Sequence, residues 1–271
     1  MGSLDCFVEP LRRWWRRAVP QQENGEPQMI AQGWDNYAKA WKAEEFRVLP
    51  GHSVQQLGDE WTAEDTSVGG TTYGLDEASV INFSKLLNEQ VLDEYLPSHA
   101  AEGLEIGSGG GRLTALLLPR TVVLHAADPS AAMLKRLRAR FAGANSLRTY
   151  QTDGMTLPPL TSGSLDFVVS FDVFVHFEAR LVYWYLRQIK SLLKPGGVGL
   201  IHYASVLSPV GWRQFEADLE RNVRQRVSFC SFGAMCPQMM EQFLKALDLQ
   251  VISLDVGFIP RDAIAVFRNP G

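Results

Sequence analysis

The stretch GLEIGSGGGRLT, from Gly103 to Thr114, decides the fold of this chain. Its apolar residues Leu104 and Ile106 flank the acidic Glu105 and lead into a loop made mostly of glycine. Apolar residues at helical spacing follow the loop. A strand, a tight glycine turn and a helix start form a βα unit that binds nucleotide-like ligands, because bare backbone lets a ligand approach closely.

The spacing of the glycines selects among such ligands. The dinucleotide fingerprint is G-x-G-x-x-G, with a pyrophosphate at the helix N-terminus. Gly107 and Gly109 fit it, but Arg112 stands at the third position and Gly111 comes one residue early. Glu105, just before the turn, would repel a pyrophosphate. The loop therefore suits a ligand with positive charge and no phosphate, and S-adenosylmethionine (SAM), which carries a sulfonium and an ammonium, is such a ligand.

The loop resembles motif I of the class I SAM-dependent methyltransferases, [DE]-x-G-x-G-x-G, because Glu105, Gly107, Gly109 and Gly111 fill its four defined positions. The resemblance implies an α/β fold of three layers, Rossmann-like, around a seven-stranded and mainly parallel sheet with a terminal antiparallel strand. It also implies SAM as cofactor and S-adenosyl-L-homocysteine (SAH) as product, with Ser108 contributing to the same loop.

A second strand, predicted over 122–127, ends at Asp128. A carboxylate there can accept hydrogen bonds from both ribose hydroxyls. The alternative is a helix N-cap, since the Asp-Pro-Ser sequence of Asp128, Pro129 and Ser130 opens helices well. The position of Asp128 relative to the glycine loop favours ribose binding over the N-cap. The family often places an apolar wall for adenine one turn further on, at Met133.

The later landmarks follow in the family's order. Asp153, Gly154 and Met155 match its acidic, small and apolar residues at the third strand end, where Asp153 would accept from the adenine amino group; the alternative is an Asp-Gly turn. The apolar run 165–171 predicts a buried parallel strand whose last residue, Phe171, we assign to the cofactor pocket.

The segment LLKPGGVGLIHYAS, residues 192–205, resembles the family's helix end, Pro-Gly-Gly turn and fifth strand. Pro195 is expected to stop the helix, and Gly196 and Gly197 to make the turn. Two β-rich runs, 249–256 and 262–268, fit the terminal antiparallel pair. The resemblance covers roughly residues 100–269.

Composition indicates a globular protein. The chain has 271 residues, 46% hydrophobic and 10% aromatic, with a net charge of −4, which gives no nucleic-acid signature. Its three cysteines form no C-x-x-C pair, and no run approaches the roughly 20 apolar residues of a membrane helix. We expect a cytoplasmic monomer or homodimer that acts on a small-molecule acceptor, without nucleic acid and without stable membrane insertion.

The predicted organisation has three parts. Residues 1–28 form a leader and linker, in which four arginines surround two tryptophans; a solvated leader is favoured over a membrane-surface or anion-binding segment. Residues 29–97 form an N-terminal helical lid, and residues 98–271 form the methyltransferase core, with 206–230 as a substrate-cap insertion over the ligand crevice. The predicted substrate-binding residues are Trp34, Tyr37, Trp61, Tyr73, Tyr203 and Trp212.

Methyl transfer requires an aligned acceptor and, where the acceptor carries a proton, a base. His176 lies just past the fourth strand, and His202 near the end of the fifth. An imidazole with a pKa near 6.5 suits a general base at neutral pH. We predict His176 as the base, with Asp172 or His202 orienting it or the acceptor. The alternative is that His176 caps the next helix or shapes the pocket, and His125 is expected to be packed core.

The acceptor atom is less constrained than the cofactor. The histidine favours a hydroxyl or carboxyl oxygen, while a nitrogen or sulfur acceptor and a non-catalytic SAM-binding protein stay open. A nucleic-acid methyltransferase is disfavoured, since no Asn/Asp-Pro-Pro-Tyr/Phe motif is present. No tight ligand spacing supports a metal at Asp172, His176, Glu178 and His202, so none is predicted.

Overall fold

The computed structural model describes residues 32–36, 67–68, 71–72, 87–225, 232–259 and 261–271. The leader and most of the predicted lid lie outside these ranges, as do the predicted substrate-binding residues Tyr37, Trp61 and Tyr73. Within the described ranges, no helix has both the length and the apolar character to span a membrane.

Seven strands form the sheet that carries the site, in the order β3-β2-β1-β4-β5-β7-β6. Neighbours among β1 to β5 pair in parallel, and β7 runs antiparallel to both of its neighbours. This confirms the predicted seven-stranded Rossmann-like sheet. The strands are β1 (Ala100–Ile106), β2 (Thr121–Asp128), β3 (Leu147–Gln151), β4 (Leu165–Ser170), β5 (Leu193–Ala204), β6 (Gln250–Ser253) and β7 (Asp262–Arg268).

Helices cover both faces of the sheet and bury its apolar residues. On one face Leu186 and Ile189 lie in one apolar core, and on the other Leu92 and Leu117 lie in a second. The strand order reverses beside β1. Ligands of such sheets bind in a crevice outside the carboxyl ends of the strands at this point, which here are β1 and β4. The helices after β1 are α1 (Thr114–Leu117), α2 (Ala131–Arg140), α3 (Ala179–Leu192), α4 (Pro209–Gln225) and α5 (Pro237–Ala246).

The Pro-Gly-Gly segment differs from the predicted turn. Helix α3 ends at Leu192, and Leu193 already pairs with Leu165 before the register shifts to the next pair, Phe167 with Val198. The segment is therefore a bulge inside β5, which suits a proline that has no N–H to give to a strand ladder. A Cβ on Gly197 would come within 2.9 Å of the Leu165 carbonyl oxygen, so the bulge needs glycine there.

Candidate functional site

The loop between β1 and α1 is bare backbone in a conformation that favours glycine. Its φ angles are +74° at Gly107, +51° at Gly109 and +99° at Gly111. A Cβ on Gly107 would come within 2.1 Å of the Val173 side chain, and one on Gly111 within 2.5 Å of Phe141. No larger side chain fits at either position, so any ligand at this loop meets the main chain.

Asp128 fixes the loop to the end of β2. Its Oδ2 accepts from the Gly109 N–H at 2.9 Å, and its Oδ1 from the Ser130 N–H at 2.8 Å. Ser130 is the N-cap of α2, and its hydroxyl accepts from the Met133 N–H, so Asp128 braces both the loop and the helix start. A carboxylate offers about four lone-pair sites, which keeps these bonds compatible with ribose binding. The ribose role stays a prediction.

Two further side chains lie under and within the loop. Glu105 is buried and accepts from the Thr114 hydroxyl at 2.5 Å, which ties the end of β1 to α1. The Ser108 hydroxyl is buried and has no hydrogen-bond partner among the described residues. Because buried polar groups in native proteins are nearly always paired, this hydroxyl suits a polar ligand at the loop.

A protein-family model described as a methyltransferase domain matches residues 104–197, from β1 to the bulge of β5. The chain carries a class I SAM-dependent methyltransferase domain. The enzyme therefore uses SAM. Its loop fits that cofactor, since it offers open backbone and a buried hydroxyl, that of Ser108, without a hydrogen-bond partner in the described part of the chain.

Solved structures share the fold of this methyltransferase. The N-methyltransferase NodS from Bradyrhizobium japonicum WM9, in complex with SAH, is 20% identical over 80% of this chain and 98% of its own, with a TM-score of 0.51. The PH0226 protein from Pyrococcus horikoshii OT3 is 19% identical over 69% of this chain and 91% of its own, with a TM-score of 0.53. No curated protein matches the sequence. At these identities the similarity shows the fold and leaves the acceptor open.

The loop after β3 carries the predicted adenine residues. Asp153 Oδ1 accepts from the N–H groups of Met155 and Thr156 at 2.8 and 2.6 Å, and Gly154 has a φ of +80°. Partial burial raises the pKa of the Asp153 carboxyl, but these bonds outweigh it and hold the pKa below its usual value. The structure thus shows the Asp-Gly turn, and adenine binding stays a prediction.

The other predicted cofactor residues divide between core and surface. Met133 is buried in the first turn of α2, whereas 39% of Met155 is exposed. Phe171 is buried at the end of β4 and stacks on the His202 ring at a centroid distance of 4.4 Å. Pro129 is half-buried, and its carbonyl accepts from the Gln151 side chain at 3.4 Å.

Residues 32–36 are helical and contact two parts of the crevice. Asp35 accepts from the Ser130 hydroxyl and from the Ala132 N–H, the latter at 3.1 Å, at the start of α2. The centroids of the Trp34 and His176 rings are 5.5 Å apart. The lid itself stays a prediction. Asp35 is not among the predicted site residues, because an acidic residue on a helix gives no local signal of such a contact.

Five charged or titratable side chains form a continuous row, which we call the charge chain: Arg112, Asp172, His202, Asp262 and Arg261. Asp172 pairs with Arg112 through Oδ2, and its Oδ1 is 3.2 Å from His202 Nδ1. His202 Nε2 is 3.1 Å from Asp262, which also pairs with Arg261. The charge chain joins the glycine loop to the carboxyl end of β4, to β5 and to the start of β7.

The charge chain shifts the pKa values of its members. Burial raises the pKa of Asp172, but Arg112 beside it, with His202 and Arg261, lowers that pKa far below the usual range. Burial lowers the pKa of His202, and its bonds to Asp172 and Asp262 more than restore it, so the net direction is upward. Asp172 also has a φ of +58°, a strained conformation for a non-glycine residue of the kind that clusters at functional sites.

His176 lies apart from the charge chain, in a row of rings. It ends the short 3₁₀ turn Phe174–His176 that follows β4 and is half-buried. Its ring lies 5.5 Å from Trp34 and 5.3 Å from Phe232, and the Arg261 guanidinium lies 3.9 Å from the centre of the Phe232 ring. The structure therefore brings Asp172 and His202 together in one network and places His176 in another.

The predicted substrate-binding residues of the core differ in exposure. Tyr203 is fully buried and its hydroxyl donates to the Leu254 carbonyl at 2.8 Å, so here it supports the sheet and presents no surface to an acceptor. Trp212 lies on α4 with 48% of its surface exposed, stacked on Phe215. Among the residues that the structure describes, no three His, Cys, Asp or Glu side chains group closely enough to hold a metal ion.

Proposed function

We propose that the methyltransferase transfers the methyl group of SAM to a hydroxyl or carboxyl oxygen of a small-molecule acceptor, with His176 as general base when the acceptor is a hydroxyl. The observation that carries this proposal is the position of His176. It follows β4 at the carboxyl edge of the sheet, next to the strand that leads into the glycine loop, and its ring lies between Trp34 and Phe232.

His176 suits the base better than the other two candidates. Asp172 stays ionised at every physiological pH and is already paired with Arg112, so it is a poor proton acceptor. His202 is fully buried, and both of its ring nitrogens face carboxylates. An imidazole with a pKa of about 6.5 can take the proton of a phenol-like hydroxyl with a pKa of about 10, and the two aromatic walls suit a planar acceptor.

In this mechanism SAM supplies a methyl group already activated on its sulfonium. The glycine loop and Asp128 would hold the ribose end of the cofactor, and Asp153 with Met155 would hold adenine. Trp34 and Phe232 confine the acceptor and exclude water, and alignment of acceptor oxygen with methyl carbon provides most of the acceleration. For a hydroxyl acceptor, His176 takes the proton as the oxygen–methyl bond forms and SAH leaves; a carboxylate acceptor has no proton to remove. The charge chain holds the β4 end, and with it the turn that carries His176, in place.

Replacement of His176 tests the base. We expect His176→Gln to lower kcat about 10²- to 10⁴-fold while SAH affinity stays near that of the wild type. The acidic limb of the pH–rate profile should disappear with it. His99→Gln is the matched control, because His99 is exposed and far from the crevice in the fold. Unchanged turnover in His176→Gln would remove His176 from the mechanism.

An acceptor screen tests the oxygen. Purified enzyme is incubated with methyl-labelled SAM and a panel of phenols, alcohols, carboxylic acids, amines and thiols. We expect label on oxygen acceptors, phenols foremost. Label on amines or thiols alone would overturn the oxygen acceptor and leave the methyltransferase intact. SAH binding without transfer to any acceptor class would favour the non-catalytic alternative.

A further inference from the structure

Two side chains of helix α3 form hydrogen bonds with the loop of residues 153–157, which we call the adenine loop. Neither residue is among the site residues described above. The Trp184 Nε1–H donates to the Met155 carbonyl at 2.9 Å, and the Gln188 amide N–H donates to the same oxygen at 2.9 Å. The Gln188 Oε1 accepts from the Leu157 N–H at 2.8 Å. Residues four apart on a helix share a face, so both side chains reach the loop together.

Four backbone groups at the centre of this loop have a side-chain partner. Asp153 takes the N–H groups of Met155 and Thr156, and Asp153 Oδ2 accepts the Thr156 hydroxyl at 2.9 Å. The α3 side chains take the carbonyl of Met155 and the N–H of Leu157. The loop is thus held from within by Asp153 and from outside by Trp184 and Gln188, which leaves it little freedom to rotate.

The exposure of these residues is unusual for a purely structural contact. Trp184 leaves 44% of its surface exposed and Met155 leaves 39%, although both are large and apolar. Burial of apolar area therefore explains little of their placement. Gln188 is the side chain that can donate to one backbone group and accept from another with a single amide. Neither leucine nor glutamate at this position could make both bonds.

We propose that Trp184 and Gln188 are positioning residues for adenine, because they fix the backbone from which Asp153 and Met155 meet the base. The proposal rests on the adenine site proposed above. We call Trp184 and Gln188 the clamp. The proposal predicts that loss of the clamp weakens binding of the adenine amino group more than binding of the rest of the ligand. A clamp that served only to stabilise the fold would affect all ligands of the crevice equally.

The experiment compares two ligands by isothermal titration calorimetry. SAH carries the adenine amino group, and S-inosylhomocysteine has an oxo group in its place. We expect wild type to prefer SAH, and Gln188→Leu to lose about tenfold in SAH affinity, as for one or two hydrogen bonds, with a much smaller loss for the inosine ligand. Trp184→Phe keeps a ring but loses the donor, and should shift the preference in the same direction.

Control variants distinguish an effect of the clamp from an error in the adenine site and from a general loss of stability. Gln238→Leu, at an exposed position on α5, should leave both affinities unchanged. Equal losses for both ligands in Gln188→Leu, or unchanged SAH affinity, would overturn the clamp. Asp153→Ala tests the site itself: if its preference for SAH equals that of the wild type, adenine binds elsewhere. If Asp153→Ala loses the preference while both clamp variants keep it, the clamp alone is wrong.

Discussion

Removal of Asp262 should strongly destabilise the protein, because it interrupts the charge chain at a deeply buried position. Asp262 is 2% exposed and pairs with Arg261 and His202, which are themselves buried. In Asp262→Ala both partners lose their shared carboxylate in a low-dielectric environment. Breaking a buried ion pair from one side costs about 3–5 kcal/mol. With an m-value of about 3 kcal/mol/M, the urea midpoint should fall by about 1–2 M.

Equilibrium unfolding in urea, followed by circular dichroism, measures this loss. The control is Arg180→Ala, which breaks an exposed pair with Glu178 at 3.6 Å and should leave the midpoint unchanged. The pKa of Asp262 is held below its usual value: burial raises it, and the bonds from His202 and Arg261 outweigh burial. The contribution of the Asp262 carboxylate to the free energy of unfolding is therefore fully present above the unfolded-state pKa of about 3.9, and it is lost as the pH falls below that value. If Asp262→Ala lowered the free energy of unfolding by less than about 1 kcal/mol at pH 7, the reasoning would be refuted. A buried ion pair broken from one side should lower it by at least about 3 kcal/mol.

Two further predictions follow from the described contacts. Gly107→Ala places a Cβ within 2.1 Å of Val173 at a φ of +74°, so SAH binding should be lost by calorimetry; affinity near that of the wild type would contradict the loop geometry. Burial lowers the pKa of His125 despite its contact with Glu102. Wild type should therefore lose thermal stability as the pH falls below about 6.5, and His125→Asn less so; parallel pH profiles would contradict this.

The sheet and the glycine loop could be predicted from the sequence because their signals are local. Three of the four glycines of the loop have positive φ angles that favour glycine, and Asp128 is the last residue of its strand. The bulge at Pro195 differs from the predicted turn, because proline and glycine indicate an interruption but not whether a strand includes it. Only pairing of Leu193 with Leu165 decides that, and such a pairing is not local.

The side-chain networks could not be predicted in the same way. His202 and Asp262 are 60 residues apart, and Arg112 and Asp172 are also 60 residues apart. Nothing in a helical or strand period indicates which charged residues will meet at a sheet edge. The sequence places both His176 and His202 near strand ends, but it does not show what surrounds either ring. Their environments separate them: one lies between aromatic rings, and the other between carboxylates.

A crystal structure of the enzyme with SAH tests the central claim most directly. The account predicts the homocysteine and ribose against the loop from Gly107 to Gly111, with the ribose hydroxyls on Asp128. It predicts adenine between Met133 and Met155, and the sulfur facing the crevice beside His176. SAH bound elsewhere on the sheet, or bound at the loop with its sulfur directed away from His176, would contradict the proposed site.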